Sequence, residues 1–451
     1  MAMKRGFRIV LIVLTVFLVI GVGLVSYAGY WVYSIYSSVS RMHVVPEGLK
    51  DVRVYKGDEF FTKAEIFKLE RTSYLDTIAA GATEPDEKTK QRIIQSRIAR
   101  SFYNFSDIAV YGDKIVAVGE FGAFEFDAAR RVSKEVTFEP LQSVTKVGPI
   151  ETENYKSNLG NLQIVELEKG KHGFLSWNSI DGLQIFNADG DRIWSIGGDP
   201  VDLSIVLKGK EAGDAEYEKS SHVLEGAVGD LDGDGIAEYI VARKNLGIRA
   251  YDRDGKERWV FADEFPSSKL AVRDLDGDGR GEVIQIGERV IDADGKLVRD
   301  LERAYDDAIL FTADGKKLSM YGLDFSDNSL NLKREDGTSI FKASAPLSSV
   351  DKPEEKVEIP GVDPWIDNKV TVAFPKTVWL RAGKDKKYLA IVAGFIGLPV
   401  SNVYVYDEQG TLLYHELLPE DAETIAAIPA PELKDDLIVG GKDTIWKYSL
   451  K

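Results

Sequence analysis

The chain has 451 residues, 44% of them hydrophobic, no cysteine and a formal net charge of −16. Apolar content and length allow a large core, as roughly two to four compact domains or one repeat architecture. The acidity is spread along the chain and argues against a nucleic-acid binder, which needs a basic face to displace counterions from phosphates. The missing thiols exclude disulfides, zinc–thiolate sites, thiol catalysis and cysteine-linked lipid anchors.

The first element in chain order is apolar. Residues 9–25 read IVLIVLTVFLVIGVGLV, and the apolar character continues to Tyr36. A membrane span needs about 20 such residues. Lys4, Arg5 and Arg8 precede it and favour the cytoplasmic side. Tyr27, Tyr30, Trp31, Tyr33 and Tyr36 follow as an interfacial aromatic belt. Residues 1–40 are therefore expected to be a cytoplasmic tip and a transmembrane signal anchor. The competing reading is a signal peptide cleaved after Ser26-Tyr27-Ala28, but the apolar run is long for that and continues past the site. A single-pass protein follows, with its N-terminus cytoplasmic and its bulk extracytoplasmic. The expected setting is a bacterial inner membrane with a periplasmic body.

Residues 41–104 are expected to form a juxtamembrane, partly helical segment. EFFTKAEIFKLERTSYLDTIAA (59–80) spaces Phe60, Ile66, Leu69 and Leu75 in a mixed helical pattern, and QRIIQSRIARSFYNF (91–105) is again helix-like.

From about residue 105 the pattern changes to short β-branched and aromatic runs separated by tight turns. Hairpins are expected at 183–196, 248–261, 289–301, 309–321, 330–341 and 403–417, each around a turn ending in glycine. Asp-Gly between alternating strands supplies the positive φ that a tight hairpin requires, and needs no metal. Hairpins recurring about every 40 residues point to a β-propeller, whose closed ring removes unpaired sheet edges. The division 105–140, 160–197, 223–261, 268–301, 305–343, 363–418 and 424–450 makes about seven four-stranded blades. Residues 105–451 are thus expected to be an all-β propeller. The last strand-like run is expected to close the ring against an N-terminal strand, VRVYKG (52–57) or a run near 115.

Two nonapeptides stand out. Residues 230–238 read DLDGDGIAE and 274–282 read DLDGDGRGE. Their carboxylates alternate: Asp230, Asp232, Asp234 and Glu238 in the first, Asp274, Asp276, Asp278 and Glu282 in the second. Side chains so spaced on a curled loop can converge on one hard cation, and Ca²⁺ takes six to eight oxygens in irregular geometry. Ile236 and Arg280 would add backbone carbonyls. Two Ca²⁺ sites are expected. Strand-like flanks and the lack of a glutamate at position 12 exclude an EF-hand. Crowded carboxylates repel one another without a cation. Asp324, Ser326 and Asn328 repeat the alternation without the glycine.

The unit VGDLDGDGIAEYIVA…IRAYDRDGKERW resembles the FG-GAP/VCBS-type repeat of integrin-α-like β-propellers. The motif is strong over 223–301 and weak elsewhere. The resemblance implies calcium in a D-x-D-x-D-G-x-x-[D/E] loop between adjacent strands of a blade, in a propeller usually used for binding. Some members accompany polysaccharide-degrading activities.

No catalytic constellation accompanies these motifs. His43, His172, His222 and His415 fall in no metal-ligand spacing, and no phosphate-binding glycine loop appears. Trp194, Trp259 and Trp446 read as core packing. The expected function is a calcium-stabilised module that binds a protein or glycan of the cell envelope, or a scaffold. The alternative is a glycan-active hydrolase or lyase in the propeller channel, using acidic pairs such as Asp306-Asp307.

Overall fold

The computed structural model describes residues 45–69, 105–111, 114–119, 122–127, 129–139, 141–147, 150–156, 161–178, 182–197, 221–266, 269–301, 308–314, 317–334, 336–351, 369–395, 398–430 and 433–451. Among them the chain is all-β. A 3₁₀ turn spans Glu47–Leu49, and no helix among the described residues is long and apolar enough to cross a membrane. The expected anchor at 9–36 and the helix-like run at 91–104 lie outside the described residues.

Six antiparallel sheets have four strands each. In chain order blade I covers 105–136, blade II 163–196, blade III 223–261, blade IV 270–300 and blade V 308–344. Blade VI combines the C-terminal strands Thr424–Pro429, Asp435–Gly440 and Thr444–Leu450 with the N-terminal strand Phe61–Lys68. The expected seven four-stranded blades are therefore six. The segment expected as the other one is a six-stranded sheet between blades V and VI, because its first strand, Lys369–Arg381, runs for 13 residues. The start of that strand pairs with Ser349–Asp351 and the rest with Lys387–Phe395, while Val54–Lys56 adds to the opposite edge. A two-stranded hairpin, Leu141–Val147 with Ile150–Lys156, stands between blades I and II.

Blade III shows why these sequences make blades. Its middle strands, Glu238–Arg243 and Gly247–Tyr251, are buried almost throughout, because a neighbouring blade covers each face. Its outer strand, Glu257–Phe261, alternates towards solvent. Between those strands the Asp252 carboxylate accepts the N–H groups of Asp254 and Lys256 at 3.0 and 2.8 Å, so this Asp-Gly turn satisfies itself. Gly255 is required twice: its φ is +82°, and a Cβ there would lie 2.3 Å from the Trp194 indole nitrogen of blade II. Trp259 rests in the same way on Gly295 of blade IV and donates Nε1–H to the Ala293 carbonyl at 2.9 Å. The tryptophans are packing residues between blades.

Hydrophobic clusters fill the seams between neighbours. Phe138 of the blade I edge packs with Phe174 and Phe186 of blade II, and Leu183 of blade II packs with Tyr239 and Val241 of blade III. Ile240 and Ile248 of blade III meet Val272 and Ile291 of blade IV, and Leu330 of blade V meets Tyr404 of the six-stranded sheet.

Phe61–Lys68 closes the ring. It pairs with Thr444–Leu450 from Phe61↔Leu450 to Lys68↔Thr444, with a register shift between Glu65 and Phe67. A bulge of this kind turns later side chains to the other face. Phe61 accordingly packs on Tyr414 and Tyr448, with centroids at 5.0 and 5.5 Å, whereas Phe67 packs on Phe124 and Phe126 of blade I at 4.9 and 5.2 Å. Lys63 pairs with the buried Glu416 at 2.6 Å, and Glu416 also accepts the Tyr414 and Tyr448 hydroxyls at 2.7 and 2.9 Å. The helical expectation for 59–80 is thus corrected over its described part: continuous pairing with the last strand outweighs a weak local pattern. Closure by an N-terminal strand holds, but Val54–Lys56 pairs with Leu412–Leu418 instead of the last strand.

A chain beginning at residue 45 keeps every described strand and should melt as the full chain does. One beginning at residue 70 loses the closing strand and should aggregate or melt far lower. Phe61→Ala should cost about 3 kcal/mol in chemical denaturation; an unchanged midpoint would show that the ring does not depend on this strand.

Candidate metal centre

The two acidic loops join equivalent strands. Loop 230–237 connects Val223–Gly229 to Glu238–Arg243 in blade III, and loop 274–281 connects Leu270–Arg273 to Glu282–Gln285 in blade IV. Their internal bonding is the same. The Asp230 carboxylate accepts the Gly233 and Gly235 N–H groups at 2.7 and 2.8 Å, and Asp274 accepts those of Gly277 and Gly279 at 2.6 and 3.0 Å. Asp234 accepts the Ile236 N–H and Asp278 the Arg280 N–H, both at 2.7 Å. Glu238 and Glu282 accept the Leu231 and Leu275 N–H groups, again at 2.7 Å. Gly233 and Gly277, at φ +81° and +83°, allow the curl.

In blade III one carboxylate oxygen each from Asp230, Asp232 and Glu238 lie within 4.8 Å of one another; in blade IV those of Asp274, Asp276 and Asp278 do. Asp234 and Glu282 remain outside these clusters. Ile236 forms an isolated antiparallel bridge with Glu168, flanked by bonds from Lys169 N–H to the Gly235 carbonyl and from Ala237 N–H to the Leu167 carbonyl. The N–H and C=O of Ile236 therefore face away from blade II, into the loop. The Arg280 side chain pairs with Asp294 at 2.8 Å, outside its loop.

Sequence reasoning missed Arg258. One of its terminal nitrogens lies 2.8 Å from Asp232 and 2.7 Å from Glu238, so a guanidinium already stands among the carboxylates of blade III. Aligning the two turns, DRDGKER with DADGKLV, exposes the signal: blade IV has Val298 where blade III has Arg258. Burial pushes the Glu238 carboxyl up, helped by Asp232 and Asp230 and opposed by the Leu231 N–H and Arg258. Burial, Asp276 and Asp274 push Glu282 up against the Leu275 N–H. Desolvation also works on Asp232, but bonds from Arg258 and the Asp234 N–H hold it below the usual carboxylate range. An all-oxygen, crowded donor set suits a hard divalent cation. The blade IV loop fits one as it stands, and the blade III loop fits one once Arg258 withdraws. The degenerate stretch at 323–331 is instead a tight turn between the second and third strands of blade V, and Asp324 pairs with Lys333.

The first strands of blades I and III carry two further acids. Asp107 accepts N–H groups from Ile108 and from Ile164 of blade II at 2.9 and 2.8 Å, and burial pushes its carboxyl up against them. Burial pushes Glu225 up to about 7, although the Gly226 N–H, Lys269 and Lys376 pull it down. His415, between the rings of Tyr55 and Tyr404, is held down at about 4 by burial. Asp306 and Asp307 lie outside the described residues.

No family model matches the chain, and no curated protein matches it. Among solved structures it is similar to "Crystal structure of BBS1N in complex with ARL6DN, soaked with lead", at 9% identity and a TM-score of 0.41, covering 77% of this chain and 93% of that one. The mercury-soaked crystal of the same complex matches at 10% identity and the same TM-score and coverage. At these levels the functional reading rests on the chain's own residues.

The loops touch. Gly281 N–H donates to the Asp230 carbonyl at 2.9 Å, and a Cβ on Gly281 would lie 2.6 Å from that oxygen. Gly281→Ala should separate the loops and lower stability by about 2 kcal/mol; a neutral effect in thermal melting would disprove that contact. Glu225, with an ordinary value of 4.5, keeps its proton in the folded state up to about 7. Its contribution is therefore complete below 4.5 and lost as pH rises through 7. Glu225→Gln should flatten the pH dependence of stability across that window, and denaturation at pH 5 and pH 8 measures it.

Proposed function

We propose that the chain is a calcium-stabilised β-propeller, tethered by residues 9–36 and displayed outside the cytoplasm, where it binds an envelope protein or glycan. The observation that carries the calcium reading is the duplicated loop, with the same hydrogen bonds in both copies and converging carboxylates in each. Asp274, Asp276 and Asp278, with the Arg280 carbonyl and Glu282, would hold one ion. Asp230, Asp232, Asp234, Glu238 and the Ile236 carbonyl would hold the other. The ion supplies charge neutralisation that the loop carboxylates otherwise lack.

The loops are well placed to stiffen the ring. The blade III loop bonds to Leu167 and Lys169 of blade II, and the blade IV loop bonds to Asp230 of blade III. Ordering either loop therefore braces a run of three blades. The anchor reading rests on the apolar run and its basic flank, and the choice of an envelope partner on that topology. The enzyme alternative draws no support from Asp107 and Glu225. Each is tied to backbone N–H groups, and neither lines the cavity described below.

Calorimetric titration of the full chain in detergent, with melting curves in calcium and in chelator, tests this reading. Two binding events are expected, the blade IV site tighter, because calcium in blade III must displace charged bonds worth about 1.5–3 kcal/mol each. Arg258→Met should tighten the weaker event by about tenfold or more and lower stability in chelator. Asp232→Ala with Asp276→Ala should abolish the calcium-dependent rise in melting temperature; if that variant responds like the parent, the loops are not calcium sites.

A further inference from the structure

The described chain enters the propeller at one end of the six-stranded sheet. Val45 and Leu49 pack with Val372, Phe395, Leu398 and Leu417, and Leu49 is fully buried. Val372 pairs with Phe395, beside the hairpin that joins Lys387–Phe395 to Leu398–Tyr406. The other end of the same strands is the turn after Arg381, which pairs with Lys387. That turn joins the first two strands of its sheet, as the acidic loops do in blades III and IV. First strands run the same way along the axis of a propeller. The entry and the acidic loops are therefore on opposite faces of the ring.

We propose that the propeller hangs from its anchor by this entry end and turns the acidic-loop face away from the bilayer, toward a partner outside that membrane. The inference rests on the anchor reading above, but not on calcium.

Chain length sets the posture. Tyr36 ends the apolar run, and Val45 follows nine residues later. The chain between them spans at most about 32 Å, whatever its conformation. Nine residues of strand also separate Val372 from Arg381, a rise of about 30 Å. A linker laid up the outside of the ring would be used up by that climb alone. It would still have to pass blade V, which packs between the six-stranded sheet and blade IV. The acidic loops are thus out of reach of the membrane that holds residues 9–36.

The entry is firmly held, so the posture is set at Val45 and not at a swivel further along the chain. The 3₁₀ turn closes with the Leu49 N–H on the Pro46 carbonyl at 2.9 Å. The Leu417 N–H bonds to the Arg53 carbonyl at 3.0 Å, and Val54–Lys56 pairs with Leu412–Leu418. Tyr55 stacks on His415 at 5.2 Å and donates its hydroxyl to the Asp51 carbonyl at 2.7 Å.

The two faces differ in charge. Three ion pairs stand at the entry end: Lys50 with Glu47 at 2.5 Å, Arg53 with Asp51 at 3.1 Å and Lys369 with Asp327 at 2.7 Å. Paired charges let this end approach lipid headgroups without strong repulsion. The other face carries six loop aspartates, Asp230, Asp232, Asp234, Asp274, Asp276 and Asp278. It also holds a cavity of about 670 Å³ between blades I–IV, lined by Tyr111, Glu166, Asp230 and Asp274 among others. A partner meets the loops and the cavity from the side away from the membrane.

The test uses the absence of cysteine from the chain, which lets a single introduced thiol report its position. Lys50→Cys at the entry and Asp254→Cys in the blade III turn of the acidic-loop face each carry one donor dye. The full chain is reconstituted in phosphatidylcholine vesicles with an acceptor dye on the lipid headgroups. Energy transfer should be strong from position 50 and several-fold weaker from position 254. Equal or stronger transfer from position 254 would overturn the proposal. Should Lys50→Cys fail to fold, Glu47→Cys gives the same comparison. Flotation of the same samples tests the anchor separately. A chain that floats with the vesicles but shows the reverse order of transfer keeps its anchor and loses this posture. One that does not float loses both.

Discussion

The propeller depends on one antiparallel pairing between the two ends of the described chain. A ring of blades has no edge only while its last sheet is complete, and blade VI is completed by Phe61–Lys68. That strand does more than cap an edge. Its bulge places Phe61 against the six-stranded sheet and Phe67 against blade I, so one strand wedges both seams of the closing blade. Lys63 adds a charge for the buried Glu416, which two tyrosine hydroxyls also solvate. The pair fixes register more than it adds stability, because desolvating both partners offsets much of their attraction.

Closure also explains how the rest of the ring is organised. Each blade buries its faces only against neighbours, so the device that joins blades recurs: an outer-strand aromatic set on the turn glycine of the following blade. Trp194 on Gly255 and Trp259 on Gly295 are the clearest cases. The acidic loops lie at the same end of the blades as these turns, Tyr239 beside the loop pairing with Tyr251 beside the turn, and carry a second set of links, from blade II through III to IV. Blades II–IV are thus linked twice at that one end, by backbone bonds from the loops and by tryptophans seated on turn glycines.

The blade repeat was legible because tight turns are local chemistry. All six expected hairpins coincide with paired strands, since Asp-Gly and Gln-Gly turns set their own geometry within four or five residues. The acidic loops were legible as loops for the same reason, but of the four carboxylates expected to converge in each only three draw together, Asp234 and Glu282 standing outside. What was hidden depends on distant partners. Phe61–Lys68 carries a pattern that fits a helix as well as a strand, and only Thr444–Leu450 decides the matter. The sixfold count of four-stranded blades was hidden because the length of Lys369–Arg381 lets one sheet recruit strands at both edges. Arg258 was hidden because its partners are 20 and 26 residues away and belong to other strands of the blade.

Arg258 also makes the two loops unequal in kind. A guanidinium between Asp232 and Glu238 gives the blade III loop one built-in positive charge against its four carboxylates. Blade IV has Val298, about half exposed, at the matching position, so its three converging aspartates have no built-in cation from that strand. Like charges held at such distances destabilise a loop unless something neutralises them. One loop is therefore partly neutralised from within the blade and the other is not. Because the Gly281 N–H of the blade IV loop bonds to the Asp230 carbonyl of the blade III loop, any ion that orders blade IV does so against a neighbour that already holds Arg258. The ordering cost then falls more heavily on the blade IV loop than on its neighbour.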